Sequence, residues 1–239
     1  MRDVRIKKYL KKLSYTYALG FNPVMELLRT KPTRVAKILF KNEANRYRET
    51  EQIRFLCQKH RINYEFNNRL VDKISTKDNT YAAGIFEKYE EEIDPVTNHI
   101  VLINPSDFGN LGTIIRSMVA FNFKDLAIIK PAADIFDPKV ISTTTGALFQ
   151  IRFKHYAGLD EYVEANEFHK LFLFSPKGDQ KLKSTSFKPP FSLVFGQETR
   201  GLDEVAENLG TSIVIEHTGE TDSLNLAVSA SIAMYKASL

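Results

Sequence analysis

The sequence has no tryptophan, a single cysteine, and no long apolar run. Cys57 alone excludes an internal disulfide and a multi-cysteine zinc site. A membrane-spanning helix needs roughly 18 or more consecutive apolar residues, and no such run exists, so no membrane partner is expected. The opening stretch MRDVRIKKYLKKLSYTY is basic but has no apolar core ahead of a small-residue cleavage site. No secretory signal is read there, and the cytoplasm is the expected compartment. His60, His99, His155, His169 and His217 show no metal-ligand spacing with a cysteine or with one another, so no metal is expected. A Gly-x-Gly-x-x-Gly fingerprint after a first strand and a P-loop lysine motif are also absent. Together with the basic N-terminal half, that argues against a nicotinamide-dependent oxidoreductase.

What is present is an ordinary globular composition over 239 residues, with 43% hydrophobic and 26% charged residues. A chain of this length buries roughly 70% of its unfolded surface without staples. Charge is unevenly placed. Residues 1–90 hold 20 Lys and Arg against 10 Asp and Glu, and residues 91–239 hold 13 against 19. The basic half favours a polyanionic partner, of which RNA or DNA is the usual one. The run Arg2, Arg5, Lys7, Lys8, Lys11 and Lys12, with Tyr9, Tyr15 and Tyr17 among it, reads equally as a phosphate-tracking arm or as a solvated helix face.

Residues 22–86 read as a small α/β unit. The spacing predicts helices at Pro23–Arg29, Glu49–His60 and Leu70–Ser75, and strands at Val35–Phe40, Asn63–Phe66 and Ala82–Phe86. The acidic stretch Glu87–Asn98 holds a proline and reads as a linker, which sets domains of 1–90 and 99–239 with 91–98 between them. From His99 onward, apolar strands (His99–Ile103, Leu126–Ile129, Phe153–Tyr156, Leu171–Phe174, Leu193–Phe195 and Ser212–Ile215) alternate with helices. The helices are expected at Leu111–Asn122, Pro138–Leu148, Leu159–Asn166, Leu202–Asn208 and Leu224–Ser238. That alternation predicts a parallel sheet covered on both faces.

Three segments in this second region carry candidate chemistry. Asn104–Arg116 (NPSDFGNLGTIIR) follows a buried strand and opens a helix whose N–H groups suit an anion. Arg116 stands at i+6 from Asn110 and can grip a phosphate bidentately; the alternative is an arginine paired with a nearby carboxylate. In Leu193–Gly201 (LVFGQETRG), Gly196 and Gly201 flank Glu198 at the carboxyl end of a strand, where open α/β sheets bind ligands. Glu198 is either a site group or a helix-terminus charge. In Ile213–Ala237, Ser223 is a natural N-cap, and Asn225 falls in the first turn of the last helix as a site group or a local hydrogen-bond partner.

As an ordered series these segments resemble the SpoU family of RNA ribose 2′-O-methyltransferases, in the SPOUT class. The resemblance rests on Asn110-Leu111-Gly112-Thr113-Ile114-Ile115-Arg116, on Gly196-Gln197-Glu198-Thr199-Arg200-Gly201 and on Ser223-Leu224-Asn225. Asp137-Pro138-Lys139-Val140 and Gly146-Ala147-Leu148-Phe149 add to it. It covers about residues 99–239. Phe21-Asn22-Pro23-Val24-Met25-Glu26-Leu27-Leu28 is similar to the start of the L30e-like RNA-binding domain that often precedes this catalytic domain. Two departures stand out: Glu216 and His217 where the family usually has Pro and Met, and Tyr81-Ala82-Ala83-Gly84 where many relatives carry His-Gln-Gly.

The resemblance implies an α/β chain with a small L30e-like N-terminal domain, then a SPOUT domain with a parallel sheet and a C-terminal trefoil knot. It implies S-adenosylmethionine as methyl donor, the ribose 2′-hydroxyl of a structured RNA as acceptor (rRNA before tRNA), and a homodimer. The donor is expected at Gly196, Gly201, Ile215 and Leu224, and the catalytic set is Asn110, Arg116, Glu198, Ser223 and Asn225. A guanidinium is almost never deprotonated, so Arg116 is expected to hold the target phosphate and stabilise the forming alkoxide. Ser223 and Asn225 would orient the hydroxyl and Arg116, and Glu198 would fix the local network. The alternative is a catalytically silent RNA-binding relative acting in ribosome assembly, suggested by Glu216 and His217.

Overall fold

The computed structural model of the chain describes residues 6–75, 77–198, 201–202 and 209–239. Arg2, Arg5, Thr199, Arg200 and the helix expected over Leu202–Asn208, beyond its first residue, lie outside them. Two compact units form: Met1–Tyr89 with Asp134–Gln150, and Glu90–Ala133 with Ile151–Leu239.

The first unit runs β1 (Tyr15–Leu19), α1 (Phe21–Thr30), β2 (Val35–Phe40), α2 (Arg48–His60), β3 (Tyr64–Phe66), α3 (Asn68–Ile74) and β4 (Ala82–Glu87). Its four strands stand in the order β1-β4-β2-β3. β4 is antiparallel to β1 and β2, and β3 is parallel to β2. Val24, Leu27 and Leu28 repeat at helical spacing along α1 and are fully buried, as are Ile53 and Cys57 one turn apart on α2.

From Ile6 to Ser14 the opening segment forms no helix. Tyr15 and Tyr17 sit in β1 and belong to the core of Leu39, Val71, Ala83 and Ile85. The Tyr17 hydroxyl donates to the Lys7 carbonyl, Lys73 Nζ donates to the carbonyl of Ile6, and Lys88 Nζ to that of Lys11. Two of the three tyrosines are therefore core residues, and from Ile6 onward the segment is tied to this unit by its backbone carbonyls.

Residues 134–150, expected within 99–239, pack in this first unit. Asp137 caps α5 (Pro138–Thr144), accepting from the Lys139 N–H at 2.8 Å. The Thr16 hydroxyl donates to the Phe136 carbonyl at 2.7 Å, and the Phe86 ring meets Phe136 and Phe149. Phe136, Ile141, Leu148 and Phe149 are buried, and the rings of Phe136 and Phe149 meet Phe86 of β4.

The second unit runs β5 (His99–Ile103), α4 (Phe108–Ala120), β6 (Asp125–Ile129), β7 (Arg152–Tyr156), α6 (Leu159–Ala165), β8 (Lys170–Phe174), β9 (Gln180–Lys181), β10 (Phe191–Phe195), β11 (Thr211–Val214) and α7 (Leu226–Ala237). Its seven strands lie in the order β7-β6-β5-β10-β8-β11-β9, all parallel. Near-continuous apolar runs such as HIVLI and FSLVF suit strands covered on both faces. The expected linker is a packed strap: Ile93 enters the core, the Glu91 N–H donates to the Phe153 carbonyl, and the Asp94 N–H donates to Asp125.

At the amino ends of the central strands lies a buried polar chain. His99 Nδ1 meets the Tyr162 hydroxyl at 2.8 Å, Tyr162 meets Ser192 at 2.6 Å, and Ser192 meets His169 Nδ1 at 2.8 Å. The outer ring nitrogens face the carbonyls of Asp94 and Pro95. Burial lowers the His99 pKa to about 4 and lowers that of His169 as well.

Candidate active site

From β5 the chain winds through β6 to β7 at one edge, while β10, β8 and β11 lie on the other side. An open parallel sheet leaves its ligand crevice outside the carboxyl ends of its strands. A cavity of about 560 Å³ occupies that position, at the ends of β8, β10 and β11.

Backbone shape creates it. A Cβ on Gly196 would stand 2.2 Å from the carbonyl carbon of Gly201, so only glycine permits the two chains to meet there. Gln197 and Gly201 exchange N–H to carbonyl bonds at 3.1 and 2.9 Å, closing a tight loop beyond β10. Gly178 does the same against β11, where a Cβ would lie 2.3 Å from the Ile213 carbonyl carbon. The Ser175 N–H also donates to Ile213, at 3.0 Å.

The four expected donor residues, Gly196, Gly201, Ile215 and Leu224, all line this cavity. Glu198 and Ser223 join them. Asn110 and Asn225 flank it as a pair, the Asn225 Nδ2 donating to Asn110 Oδ1 at 3.0 Å. Arg116 is not brought in. It stands exposed on α4, with no hydrogen bond or ion pair among the described residues.

Two local details differ from the sequence reading. α4 begins at Phe108 rather than Leu111, because Asp107 caps it by accepting from the Asn110 N–H at 2.7 Å. Asn225, not Ser223, caps the last helix: its Oδ1 accepts from the N–H groups of Ala227 and Val228 at 2.8 and 3.3 Å. Ser223 is thereby left facing the cavity.

Glu198 is an anchor. Its carboxylate accepts from the Ser106 hydroxyl at 2.9 Å, from the Ser106 N–H, and from the Asp107 N–H at 3.2 Å. Burial alone pushes its pKa up, but these donors and its own N–H outweigh burial and hold it below the usual carboxylate range. The carboxylate is therefore ionised near neutral pH and pins the β10 loop to the start of α4.

Glu216 and His217 do not fill the cavity. Glu216 accepts from the Lys183 N–H, and His217 lines the wall. Its Nδ1 lies 2.9 Å from the Ile215 carbonyl and its Nε2 3.1 Å from that of Thr221. With a carbonyl on each nitrogen the doubly protonated ring is favoured, which raises its pKa.

The sequence reading misses Phe174, Ser175, Lys177, Leu202, Ile213 and Leu226, which also line the cavity. The available signal was positional. Pro176-Lys177-Gly178 is a turn directly after the apolar run of β8, at the sheet edge where ligands bind.

The profile of the SpoU rRNA Methylase family matches residues 97–235. The 23S rRNA (uridine(2479)-2′-O)-methyltransferase of Streptomyces viridochromogenes is 31% identical over 146 residues, 58% of this chain and 51% of that protein. The 23S rRNA (guanosine(2553)-2′-O)-methyltransferase RlmP of Bacillus subtilis is 26% identical over 64% of this chain and 62% of its own length. The matched segment thus spans about half the length of the first of these relatives. The crystal structure of the SpoU methyltransferase AviRb from Streptomyces viridochromogenes, in complex with the cofactor AdoMet, superposes with a TM-score of 0.82. That likeness covers 94% of this chain and 89% of that one at 23% identity, so it speaks for the fold alone. With the profile covering more than half of the chain, the chain belongs to the SpoU rRNA methylase family.

Proposed function

We propose that the chain is an S-adenosylmethionine-dependent methyltransferase acting on a ribose 2′-hydroxyl of structured RNA. The observation that carries this reading is the cavity at the carboxyl ends of β8, β10 and β11, with all four expected donor residues on its wall. Its volume lies within the range of sites for drug-sized ligands. Apolar Leu202, Ile213 and Leu226 suit the faces of an adenine, while Ser175, Gln197 and Ser229 offer polar groups for a ribose and an amino-acid tail. The residues present fit the donor, and family membership supports the same assignment.

S-adenosylmethionine supplies an electrophilic methyl group on a positively charged sulfur. What remains for the protein is to hold a weak nucleophile in line and to favour its anionic form. Arg116 is exposed and has no partner among the described residues, so its guanidinium is available to a target phosphate and to the developing alkoxide. Asn110 and Asn225 position the segment that presents Ser223 and Leu224. Glu198, ionised and engaged by three donors, fixes the loop geometry and takes up no proton.

Ribosomal RNA is the preferred acceptor in this proposal, because both relatives named above act on 23S rRNA. The basic first unit is assigned as an L30e-like RNA-binding domain, and the last segment as a trefoil knot. A homodimer is supported by an exposed apolar stripe on α7 and just beyond it: Val228, Ile232, Tyr235 and Leu239 are 47, 37, 54 and 83% exposed. Their spacing places them on one helical face. A cytoplasmic location follows from the substrate class.

Calorimetric titration of the purified chain with S-adenosylmethionine and S-adenosylhomocysteine tests the proposal. Saturable binding near one site per chain is expected. A folded protein that binds neither, alone or with total RNA present, would instead favour the silent RNA-binding relative.

A further inference from the structure

Three aromatic rings in the first unit form a cluster that neither the core nor the donor site uses. Phe21 and Tyr47 have ring centroids 5.4 Å apart, Tyr47 and Tyr81 5.0 Å, and Phe21 and Tyr81 6.3 Å with planes 20° from parallel. They come from three separate connections at one end of the four-stranded sheet. Phe21 follows β1, Tyr47 precedes α2 and Tyr81 precedes β4. The connections are bound together: the Gly20 N–H donates to the Ala82 carbonyl at 2.8 Å, and the Lys41 N–H to the Tyr81 carbonyl at 2.9 Å.

The cluster faces water. Tyr47 is 39% exposed, and Phe21 and Tyr81 are half-buried. The rings that hold this unit together are others, Tyr17, Phe40 and Phe86, all fully buried. Exposed cations share the same end of the sheet: Arg46 and Arg48 flank Tyr47 in sequence, Arg69 opens α3 and Lys77 precedes Tyr81. None of the four has an ion pair among the described residues. The neighbouring acids are partly spent, since Asp72 pairs with Lys41 at 2.6 Å and Glu43 accepts from Asn68. Glu49 and Asp78 remain, so cations are in surplus.

We infer that the Phe21–Tyr47–Tyr81 platform stacks an unpaired base of the RNA substrate, with Arg46, Arg48 and Lys77 on the flanking phosphates. The inference rests on the RNA-modifying reading above and adds which part of the RNA the first unit recognises. An aromatic face accepts any base, because every base has a π-face, but only when that base is free of its duplex partner. The platform therefore selects a loop or bulge over a helix. The exposed Asn22 amide, next to Phe21 in sequence, has no partner among the described residues and could read a base edge.

The test uses the full chain and two probes, a fluorescent oligoadenylate and an RNA duplex of equal length. The wild type is expected to bind the single strand more tightly than the duplex. Tyr47→Ala should weaken the single strand by about tenfold or more, while Tyr47→Phe, which keeps the ring, stays within about twofold. The salt dependence should be the same in all three, because no charge changes. A 2-aminopurine placed in the oligoadenylate should be quenched by the wild type and by Tyr47→Phe, but not by Tyr47→Ala. Equal oligoadenylate affinity of Tyr47→Ala and wild type, or equal losses on strand and duplex, overturns the platform. Donor titration of the same preparations separates the two levels of argument: intact donor binding beside an inert Tyr47 leaves the methyltransferase reading standing and removes only this inference.

Discussion

Asn225 has two tasks that substitution can separate. Its Oδ1 caps α7 through Ala227 and Val228, and its Nδ2 reaches Asn110. Asn225→Ala removes both. Loss of an N-cap costs about 1 kcal/mol, and a solvent-exposed amide bridge adds about 0.5 kcal/mol. For a chain of this size about 1.5 kcal/mol lowers Tm by roughly 3–6 °C. Asn225→Asp keeps the cap oxygen and places a negative charge at the positive end of the helix, which favours it by about 0.3–1 kcal/mol. It loses the donor to Asn110, but the Asn110 amide can turn and donate in its place. Asn225→Asp should therefore melt within about 2 °C of the wild type. Leu224 and Leu226 line the donor cavity on either side of this residue. A frayed helix start should accordingly weaken S-adenosylmethionine several-fold in Asn225→Ala and little in Asn225→Asp. Scanning calorimetry and donor titration read both quantities. If Asn225→Ala melts with the wild type, or if Asn225→Asp falls as far as Asn225→Ala, the cap is not what holds this wall.

Arg116→Ala should abolish methyl transfer to RNA while Tm and donor affinity stay unchanged, since the side chain is exposed and unpaired among the described residues; near-normal turnover would refute the assignment. Glu198→Ala hands the exposed Ser106 and Asp107 N–H groups over to water and should cost about 0.5–1.5 kcal/mol, read as a fall in urea midpoint. The His99 pKa of about 4 lies below the ordinary value of 6.5. The unfolded chain thus takes its proton first as pH falls below about 6.5, and stability declines toward pH 4 by up to about 3 kcal/mol. A urea midpoint unchanged between pH 7 and pH 5 would contradict that. A truncated chain beginning at residue 90 should expose Phe136, Ile141 and Phe149, whose packing partners include β1 and β4, and bind a hydrophobic dye that the full chain does not; a monomeric, dye-silent fragment would refute this.

Local signals were legible wherever one short segment decides its own state. VAKILF reads as a strand and is one with the same bounds, because a mostly apolar run of six between two polar turns is too short for a buried helix. The glycines of the β10 loop also stand where their composition puts them, at the carboxyl edge of the sheet and in close backbone approach. Signals fail where a distant partner decides. YTYAL follows six cations and looks like surface, yet it is a buried strand because β4, more than sixty residues later, pairs with it. Ser223 and Asn225 are both good caps, and only the position at which the helix starts distinguishes them. Residues 134–150 show the limit most clearly. Their flanking strands belong to the parallel sheet, so continuity along the chain assigns the segment there. Its apolar residues, Phe136, Ile141, Leu148 and Phe149, bury with the first unit instead. Chain order places a segment between two strands; its buried area decides which core it completes, and that area lies with Phe86 and Thr16, residues the segment meets only after folding.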